Sequence, residues 1–358
     1  MKLVPQGGPA ILNASVTNLC NATCDFCNFA HDKGFVTDRR MMDADQFADA
    51  LAHMRLKANV RFVTFMGGEP LLHKRIAEMA RTASEMGVQP TMVTNGWLLP
   101  GQLDSLKGTG ISTIFISIDS EDAEAHEKNR GLKGVCERIK ESTGRMKAMG
   151  ITPIASVAMT RLVRDYAALG RFLNELGFAA VTFSYPRKAA LGSSSLVYSE
   201  DSELVDMSVA ELIAAFDGVE KARAVIPVFN PKEGIADMRR RLTGQGERFI
   251  CHAGYKYFYL DWNYDLWRCE DWNAPISKVM DYRPEMAVRD GCQACTTDCY
   301  RDASIMLHFS VALGDSFARL REGKIGAALS ALADGRNLGS LGAVINHGRR
   351  IRGLIGAG

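Results

Sequence analysis

The sequence predicts an α/β fold: a partial (β/α)6 barrel, then a small cysteine-rich module, then a helical C-terminal tail. From residue 11 to about residue 185, short β-rich runs alternate with segments of helical periodicity. Such alternation favours a parallel sheet with right-handed crossovers. Beyond it, five of the nine cysteines lie between residues 251 and 299. Six strand–helix units are fewer than the eight of a closed TIM barrel, so the barrel is expected to be open and TIM-like.

The strands and helices of the barrel follow from their periodicity. Asp43 followed by Gln46 is a helix N-terminal signature for the first long helix. A loop at 186–199 and a long helix at 202–224 follow the sixth strand. The predicted strands are residues 11–16, 61–66, 89–94, 111–118, 154–159 and 180–185, and the main helices between them are 43–54, 74–86, 134–149 and 166–176.

We divide the chain into a barrel (1–230), a cysteine-rich module (231–303) and a helical tail (304–358). A length of 358 residues fits one large domain with a small one. The tail mixes apolar residues with seven basic ones, which is the pattern of a helix that packs on its own domain or, less often, lies on a membrane. Those basic residues are Arg319, Arg321, Lys324, Arg336, Arg349, Arg350 and Arg352.

Composition excludes some classes of protein. A hydrophobic content of 47% supports a sizeable core, and a net charge of +2 gives no reason to expect a nucleic-acid partner. No apolar run reaches the roughly 18 residues of a membrane span, and the first residues lack the apolar core of a signal peptide. Nine cysteines without a secretion signal indicate the cytoplasm and metal binding or catalysis rather than disulfides. Cys136, within a helical pattern, is expected to be a buried free thiol.

The first cysteine cluster directly follows the first strand. Cys20, Cys24 and Cys27 have the spacing C-x3-C-x2-C. Three thiolates on one loop hold three corners of a cubane iron–sulfur cluster, which normally takes four. The fourth iron is then open for a ligand, as in catalytic metal sites. A zinc knuckle completed by a distant ligand and unrelated buried thiols are the alternatives.

This spacing, with Phe26 before the last cysteine, resembles the signature of the radical SAM superfamily. Further motifs of that family occur in order at successive strand ends: GGEP at 67–70, TNG at 94–96, and HEKNRG at 126–131. The resemblance implies a (β/α)6 barrel and a [4Fe–4S] cluster on the three cysteines. It also implies that S-adenosylmethionine (SAM) binds the open iron and is cleaved by one electron to a 5′-deoxyadenosyl radical.

The resemblance also implies the residues that contact SAM. The Gly-Gly edge is expected to approach the amino group of SAM closely, because no Cβ intrudes. Arg130 is expected to reach the SAM carboxylate or ribose, and Phe26 to pack beside adenine or simply to anchor the loop. Without a cofactor, these positions are strand ends with polar caps, and His126 is read as surface or structural. The full set is Phe26, Gly67, Gly68, Glu69, Pro70, Asn95, Ser117, Asp119 and Arg130.

A second set of cysteines lies in the following module. An aromatic–polar alternation around Asn263 predicts a β-hairpin between Cys251 and Cys269. The hairpin and the later C-x2-C-x3-C run supply four thiolates, which also suit a zinc ribbon. The module resembles the SPASM or twitch modules of radical SAM enzymes, which implies one auxiliary [4Fe–4S] cluster. Its expected ligands are Cys251, Cys269, Cys292 and Cys295, with Cys299 left over or replacing a neighbour.

These features predict an enzyme that abstracts a hydrogen atom from a small polar, sugar- or aminocyclitol-like substrate. Cys299 is the candidate catalytic residue: it would return a hydrogen atom in an epimerisation, whereas the auxiliary cluster would take an electron in a dehydrogenation. An external flavodoxin- or ferredoxin-type protein is expected to supply electrons. About ten residues precede the first strand, so a ribosomal-peptide or protein maturase is only the runner-up. Lipid modification at a membrane and a non-enzymatic scaffold are further alternatives.

Overall fold

The computed structural model describes residues 7–31, 40–186, 202–295 and 298–355, with the side chains of residue 31 and of residues 347–355 left aside. Apart from Pro186, the predicted loop at 186–199 lies outside these ranges, as do the side chains of Arg349, Arg350 and Arg352.

The described residues form one nine-stranded sheet. Its order is β6-β5-β4-β3-β2-β1-β7-β8-β9; β1 to β7 run parallel to one another, whereas the β7–β8 and β8–β9 pairs are antiparallel. The strands are β1 (Ala10–Thr17), β2 (Val60–Gly67), β3 (Gln89–Thr94), β4 (Thr113–Ile118), β5 (Thr152–Ala158), β6 (Ala180–Ser184), β7 (Tyr257–Leu260), β8 (Asp265–Trp267) and β9 (Ser277–Lys278). All six predicted barrel strands are therefore confirmed.

Helices connect these strands and continue into the tail. They are α1 (Asn28–His31), α2 (Ala44–Lys57), α3 (Ile76–Glu85), α4 (Leu99–Leu106), α5 (Ala123–Arg130), α6 (Val135–Ala148), α7 (Tyr166–Glu175), α8 (Val209–Arg223), α9 (Lys232–Leu242), α10 (Asp298–Arg321), α11 (Ile325–Leu332) and α12 (Arg336–Ile355). Short 3-10 turns occupy Pro70–Leu72, Val279–Asp281 and Pro284–Met286.

Side-chain caps explain where two of these helices begin. Asp43 caps α2 as predicted, with its Oδ1 accepting hydrogen bonds from the Asp45 and Gln46 backbone at 3.0 and 2.9 Å. The predicted start of the long helix at residue 202 is wrong. Ser208 and Glu211 form a capping box farther along the chain, so α8 begins only at Val209.

The two faces of the barrel sheet differ in chemistry. One face packs against the helices through buried apolar side chains such as Leu12, Phe65 and Ile116. Most alternate residues of β2 to β6, on the face turned away from those helices, are half-buried, and many carry hydroxyl groups. Thr91 and Thr64 hydrogen-bond to each other across this face at 3.0 Å. Its hydroxyl residues are Thr64, Thr91, Ser117, Ser156, Thr182 and Ser184.

The predicted hairpin around Asn263 is confirmed, and it continues the barrel sheet. β7 and β8 pair antiparallel, while β7 pairs parallel with β1 from Ile11↔Tyr257 to Ala14↔Leu260. No sequence pattern indicated this pairing. The sheet therefore passes from the predicted barrel into the predicted cysteine-rich module through a hydrogen-bonded ladder.

The start of α10 bridges the two sides of the open barrel. On the β6 side, Asn230 accepts from the Phe183 backbone at 2.7 Å and donates to Asp302 at 2.8 Å. On the β7 side, the rings of Tyr300 and Tyr257 lie 4.6 Å apart in a T-shaped contact. The first turns of α10 thus lie where a closed barrel would have further strands.

The tail helices pack on one another but leave apolar side chains exposed. Ser316 donates to the Ala328 carbonyl at 3.0 Å, and the Phe309 backbone donates to Ser340 at 3.0 Å. None of the helices in the described ranges combines the length and the apolar character that crossing a bilayer requires. Large exposed apolar residues of the tail are Leu313, Phe317, Leu320, Ile325, Leu329, Leu332, Leu338, Val344 and Ile345.

Candidate active site

The first three cysteines lie on the loop that leaves the carboxyl end of β1, as the sequence predicted. Cys24 is buried, and Cys20 and Cys27 are half-buried. The loop tightens into a turn at its end, where the Cys27 backbone donates to the Cys24 carbonyl at 3.1 Å, and it leads directly into α1. The three side chains therefore occupy one short loop above the sheet.

The cysteine loop packs against Gly67 and Gly68 at the end of β2. The Gly68 backbone donates to the Thr17 carbonyl at 2.9 Å, and the Glu69 backbone donates to the Leu19 carbonyl at 2.7 Å. A Cβ on Gly68 would lie 2.0 Å from the Leu19 carbonyl oxygen, and Gly67 has a φ of +126°. The glycines are thus required by the close approach of the cysteine loop itself, whatever they contact besides.

Glu69 ties the ends of β2 and β3 together. Its carboxylate is fully buried and accepts hydrogen bonds from the Leu71 backbone at 3.0 Å, the Thr94 hydroxyl at 2.7 Å and the Asn95 backbone at 2.8 Å. Burial raises the pKa of Glu69, while these donors and the more distant Arg130 act against the rise. The GGEP and TNG motifs therefore form one hydrogen-bonded unit.

Asn95 reaches from that unit to the cysteine loop. Its Nδ2 donates to Asn21 Oδ1 at 2.8 Å and lies 4.0 Å from Cys20 Sγ. Its Oδ1 accepts from the Trp97 backbone at 3.0 Å. Asn95 thus fixes the loop at the cysteine that begins the triplet.

Asp119 and Arg130 bind each other at the end of β4. Arg130 Nε donates to Asp119 Oδ2 at 2.7 Å, and Asn129 donates to the same oxygen at 2.8 Å. Burial by itself would raise the pKa of Asp119, but the Arg130 guanidinium and His126 hold it below its usual range. His126 is fully buried with Nδ1 3.1 Å from the Asp119 backbone nitrogen, so the expected surface position of this histidine is wrong.

The C-terminal end of α5 forms a second anchor for the cysteine loop. The Thr23 backbone donates to the Arg130 carbonyl at 2.9 Å, and the Asp25 backbone donates to Asn129 Oδ1 at 3.3 Å. Gly131 has a φ of +64°, and a Cβ there would lie 2.3 Å from the Thr23 hydroxyl. Asn129 and Gly131 were not among the predicted site residues, although both flank Arg130 in HEKNRG.

Phe26 and Ser117 complete the predicted set. Phe26 is buried and packs in a small apolar cluster with Val205 and Leu204, so it anchors the loop to the segment that precedes α8. Ser117 is half-buried on the hydroxyl-bearing face of β4. Pro70 starts the 3-10 turn after β2 and is buried.

The electrostatic environment of the three thiols fits a metal-bound state. Burial raises the pKa of Cys20 to about 11, and it also raises the pKa values of Cys24 and Cys27. The Arg130 guanidinium lowers the pKa of all three. Metal ligation requires thiolates and releases their protons, so a bound cluster would offset the cost of ionising them. Within the described ranges, no three His, Cys, Asp or Glu side chains converge at the spacing of a single metal ion.

The hairpin brings the second set of cysteines together. Cys251 precedes β7 and Cys269 follows β8, and both are buried. Burial is the main cause that raises the pKa of each, and the charge of Cys295 raises the pKa of both further. Cys292 acts on Cys251 in the same way. The four predicted auxiliary ligands therefore lie within electrostatic range of one another.

Cys299 lies beside this set in the first turn of α10. It is half-buried, and its Sγ lies 3.8 Å from Asp298 Oδ2. Burial raises the pKa of the Cys299 thiol, and the carboxylates of Asp298, Glu270 and Asp302 add to the rise. This environment favours the protonated thiol, which is the form that carries a transferable hydrogen atom.

The two cysteine sets lie at opposite ends of the β1–β7 pair. The first follows the carboxyl end of β1, whereas Cys251 precedes β7 and packs near Ile11 at the amino end of β1. The six steps along the strand from Ile11, which pairs with Tyr257, to Thr17 span roughly 20 Å. The hydroxyl-bearing face of the sheet extends between these two ends.

Comparison with known proteins agrees with this geometry. Residues 14–165 match the model of the radical SAM superfamily. A probable GTP 3′,8-cyclase of Sulfolobus acidocaldarius is 30% identical over 144 residues, which is 40% of this chain and 44% of that protein. An AdoMet-dependent heme synthase of Nitratidesulfovibrio vulgaris is 29% identical over 209 residues, 55% of each chain. This chain thus covers only about half the length of these relatives.

Solved structures share the fold. Streptococcus suis SuiB bound to S-adenosylmethionine superposes with a TM-score of 0.55 at 16% identity, over 74% of this chain and 60% of SuiB. HydG, a maturase of the [FeFe]-hydrogenase, superposes with a TM-score of 0.53 at 13% identity, over 97% of this chain and 82% of HydG. Enzymes of the matched family use a [4Fe–4S] cluster and SAM. Residues 14–165 are therefore a radical SAM domain.

Proposed function

We propose that the protein cleaves SAM reductively and abstracts a hydrogen atom from a small polar substrate, sugar-like or aminocyclitol-like. The substrate would lie against the hydroxyl-bearing face of the barrel sheet. The observation that carries the proposal is the row of half-buried hydroxyl groups on that face, between the two cysteine sets. Serine and threonine hydroxyls both donate and accept hydrogen bonds, so they match a substrate rich in hydroxyl groups.

Cys20, Cys24 and Cys27 would hold the first [4Fe–4S] cluster, and Cys251, Cys269, Cys292 and Cys295 the second. When bound, the first cluster with SAM supplies the 5′-deoxyadenosyl radical, and the second supplies a one-electron acceptor. Among the predicted SAM-contact residues, Gly67, Gly68 and Ser117 keep accessible surface and are proposed to touch SAM directly. Phe26, Glu69, Pro70, Asn95, Asp119 and Arg130 are buried, and their proposed role is to shape the SAM site.

Two outcomes are open to the substrate radical, and in each of them the electrons and protons are accounted for. In the first, the substrate radical would lose one electron, for which the second cluster would be the acceptor, and its hydroxyl proton to solvent, which leaves a ketone. Alternatively, the Cys299 S–H bond breaks, its hydrogen atom joins the substrate carbon, and epimerisation is complete. The resulting Cys299 thiyl radical then needs one electron and one proton, which a flavodoxin- or ferredoxin-type donor and solvent supply.

The relatives do not identify the substrate. Their names describe a cyclase acting on GTP and a heme synthase, which are two different reactions, at 30% and 29% identity. What they share with this chain is consistent with common SAM machinery rather than a common substrate.

Anaerobic reconstitution tests the proposal. The full chain should bind about eight irons, and with dithionite and SAM it should form 5′-deoxyadenosine. Cys20→Ala should abolish SAM cleavage, whereas Cys299→Ala should retain it. A panel of sugars, aminocyclitols and a peptide then identifies the class: turnover of the peptide alone would overturn the polar small-molecule assignment.

Isotope labelling separates the two outcomes. Deuterium from solvent in the product, lost in Cys299→Ala, would establish epimerisation through the thiol. A ketone without deuterium incorporation would establish dehydrogenation and leave Cys299 without a catalytic role.

A lipid substrate is the second candidate, because the tail as far as residue 346 exposes nine large apolar side chains together with basic residues. Spacings such as Leu313, Phe317 and Leu320 place them on single helix faces. Sedimentation with anionic phosphatidylglycerol vesicles tests this candidate. Binding that Phe317→Ser weakens would favour a lipid, whereas no binding would exclude it.

A further inference from the structure

Two buried arginines flank the four cysteines of the proposed auxiliary site. Arg268 directly precedes Cys269, and Arg301 lies in the first turn of α10, two residues after Cys299. They are only 2% and 3% exposed. Arginine stays charged in proteins, so both carry a positive charge inside this module.

Arg268 binds Asp290 and Trp272, but one of its hydrogen-bond donors has no partner. Its NH1 and NH2 donate to Asp290 at 2.7 and 2.9 Å, and its guanidinium lies 4.4 Å above the ring of Trp272. Its Nε is buried and has no hydrogen-bond partner. Leaving a buried donor unpaired costs free energy, so such a donor indicates an acceptor that completes the site.

Arg301 shows the same pattern from the other side. Its Nε and NH2 donate to the Cys295 carbonyl at 3.2 Å, and NH2 also pairs with the buried Glu247. Its NH1 is buried without a partner. Arg241 donates to Glu247 and to the Gln293 carbonyl, each at 2.5 Å. Arg301 and Arg241 thus both hydrogen-bond to backbone carbonyls of the C-x2-C turn.

The unpaired donors belong to guanidinium groups that act on the cysteines electrostatically. Arg301 lowers the pKa of Cys251, and Cys292 and Cys269 both raise the pKa of Arg268. Four thiolates around a metal centre carry net negative charge, and their sulfur atoms accept hydrogen bonds. The residues present therefore fit an anionic tetrathiolate centre.

We propose that Arg268 and Arg301 donate hydrogen bonds to the anionic sulfur atoms of the auxiliary centre and act as positioning residues that raise its reduction potential. This inference rests on the auxiliary cluster of the proposed function. Adding an electron makes the centre more negative, and a fixed positive charge nearby stabilises that reduced state. The two arginines thus favour the centre as an electron acceptor.

Arg289 offers a matched control in the same module. It donates to both oxygens of Asp315 at 3.0 and 2.6 Å and lies 4.4 Å over the ring of Tyr255, as Arg268 does with Asp290 and Trp272. Its side chain, however, is 43% exposed, against 3% for Arg268. Arg268→Gln and Arg289→Gln therefore remove the same charge and the same kind of pair from two different surroundings.

The test is an EPR-monitored redox titration of the reconstituted full chain carrying Cys20→Ala, Cys24→Ala and Cys27→Ala, so that the auxiliary centre alone reports. Arg268→Gln should shift the midpoint potential downward, and Arg268→Lys should restore part of the shift. Arg301→Gln should act in the same direction, and Arg289→Gln should leave the potential unchanged. If Arg301→Gln does not fold, the Arg268 and Arg289 variants still decide the question.

The outcomes distinguish this inference from the proposed function. If iron binds and Arg268→Gln shifts the potential no more than Arg289→Gln, the role of the arginines is overturned while the auxiliary cluster stands. If the four cysteines take up zinc and no iron, the auxiliary cluster fails, and the redox role of the arginines fails with it.

Discussion

Arg130 binds Asp119 through its side chain and the cysteine loop through its backbone: Nε lies 2.7 Å from Asp119 Oδ2, and the Arg130 carbonyl accepts from the Thr23 backbone at 2.9 Å. A buried ion pair thereby lies directly behind the three cysteines. Its integrity should determine both the stability of the barrel and the position of the loop.

Arg130→Gln should destabilise the apo-protein by about 3–5 kcal/mol, because it leaves the fully buried Asp119 carboxylate without its main counter-charge. Urea unfolding under anaerobic conditions measures the change. Asp119→Asn combined with Arg130→Gln should recover part of the loss. The surface pair of Arg75 with Asp45 supplies the control, since Arg75→Gln should change stability little. Equal effects of the two single substitutions would contradict this account.

Gly68→Ala should displace the cysteine loop without unfolding the barrel. Its Cβ would lie 2.0 Å from the Leu19 carbonyl oxygen, which is backbone and moves only with the loop. Since a misplacement of about 1 Å costs about 100-fold in rate, formation of 5′-deoxyadenosine should fall by about that factor. Gly144→Ala in α6 is the control, because its Cβ meets nothing within 4 Å. Undiminished SAM cleavage in Gly68→Ala would show that the loop tolerates the shift.

Glu69→Gln should destabilise the protein by about 1–3 kcal/mol, because three donors converge on this buried carboxylate and an amide offers only one acceptor atom. The amide NH2 would face a backbone donor in either orientation, Leu71 N–H at one position and Asn95 N–H at the other. Chemical denaturation and the iron content after reconstitution measure the effect. Glu78→Gln, at an exposed position, should change neither the stability nor the iron content. A neutral result at Glu69 would mean that the strand ends are held by other contacts.

Lys256 should make stability rise between pH 8 and pH 10.5. Burial lowers the pKa of Lys256 to about 8 from 10.5, with Arg289 adding to the shift. In this window the unfolded chain holds the proton that the folded chain has lost, so raising the pH favours the folded state. The gain from pH 7.5 to 9.5 is about 2 kcal/mol. Buried thiols with raised pKa values oppose it, so the difference between wild type and Lys256→Met isolates the lysine. Identical pH profiles would rule the lysine out.

The sequence predicted the barrel well, because its signals are local. Alternation of apolar residues and helix caps such as Asp43 located all six barrel strands, and β3 matches its predicted bounds. The start of α8 was wrong by seven residues, because the Ser208–Glu211 capping box ends the irregular segment. Helical composition alone does not reveal such a boundary.

The structure places the predicted site residues at the ends of the expected strands, but the sequence did not reveal how they contact one another. Gly67 and Gly68 lack a Cβ, and the sequence does not show that the chain's own Leu19 fills that space. Asp119 and Arg130 were both chosen as cofactor contacts, yet their mutual pairing depends on how α5 returns to β4. Arg268 and Arg301 gave no motif at all, because their significance comes from burial beside the cysteines.

The pairing of β7 with β1 has a practical consequence for dividing the chain. A fragment ending at residue 230, the boundary that the sequence suggests, would lack β7 and leave the backbone groups of Ile11 to Ala14 unpaired on one side. Unpaired strand edges recruit other chains and promote aggregation. Expression of the barrel alone should therefore yield insoluble protein, and a usable minimal fragment must extend at least through the hairpin.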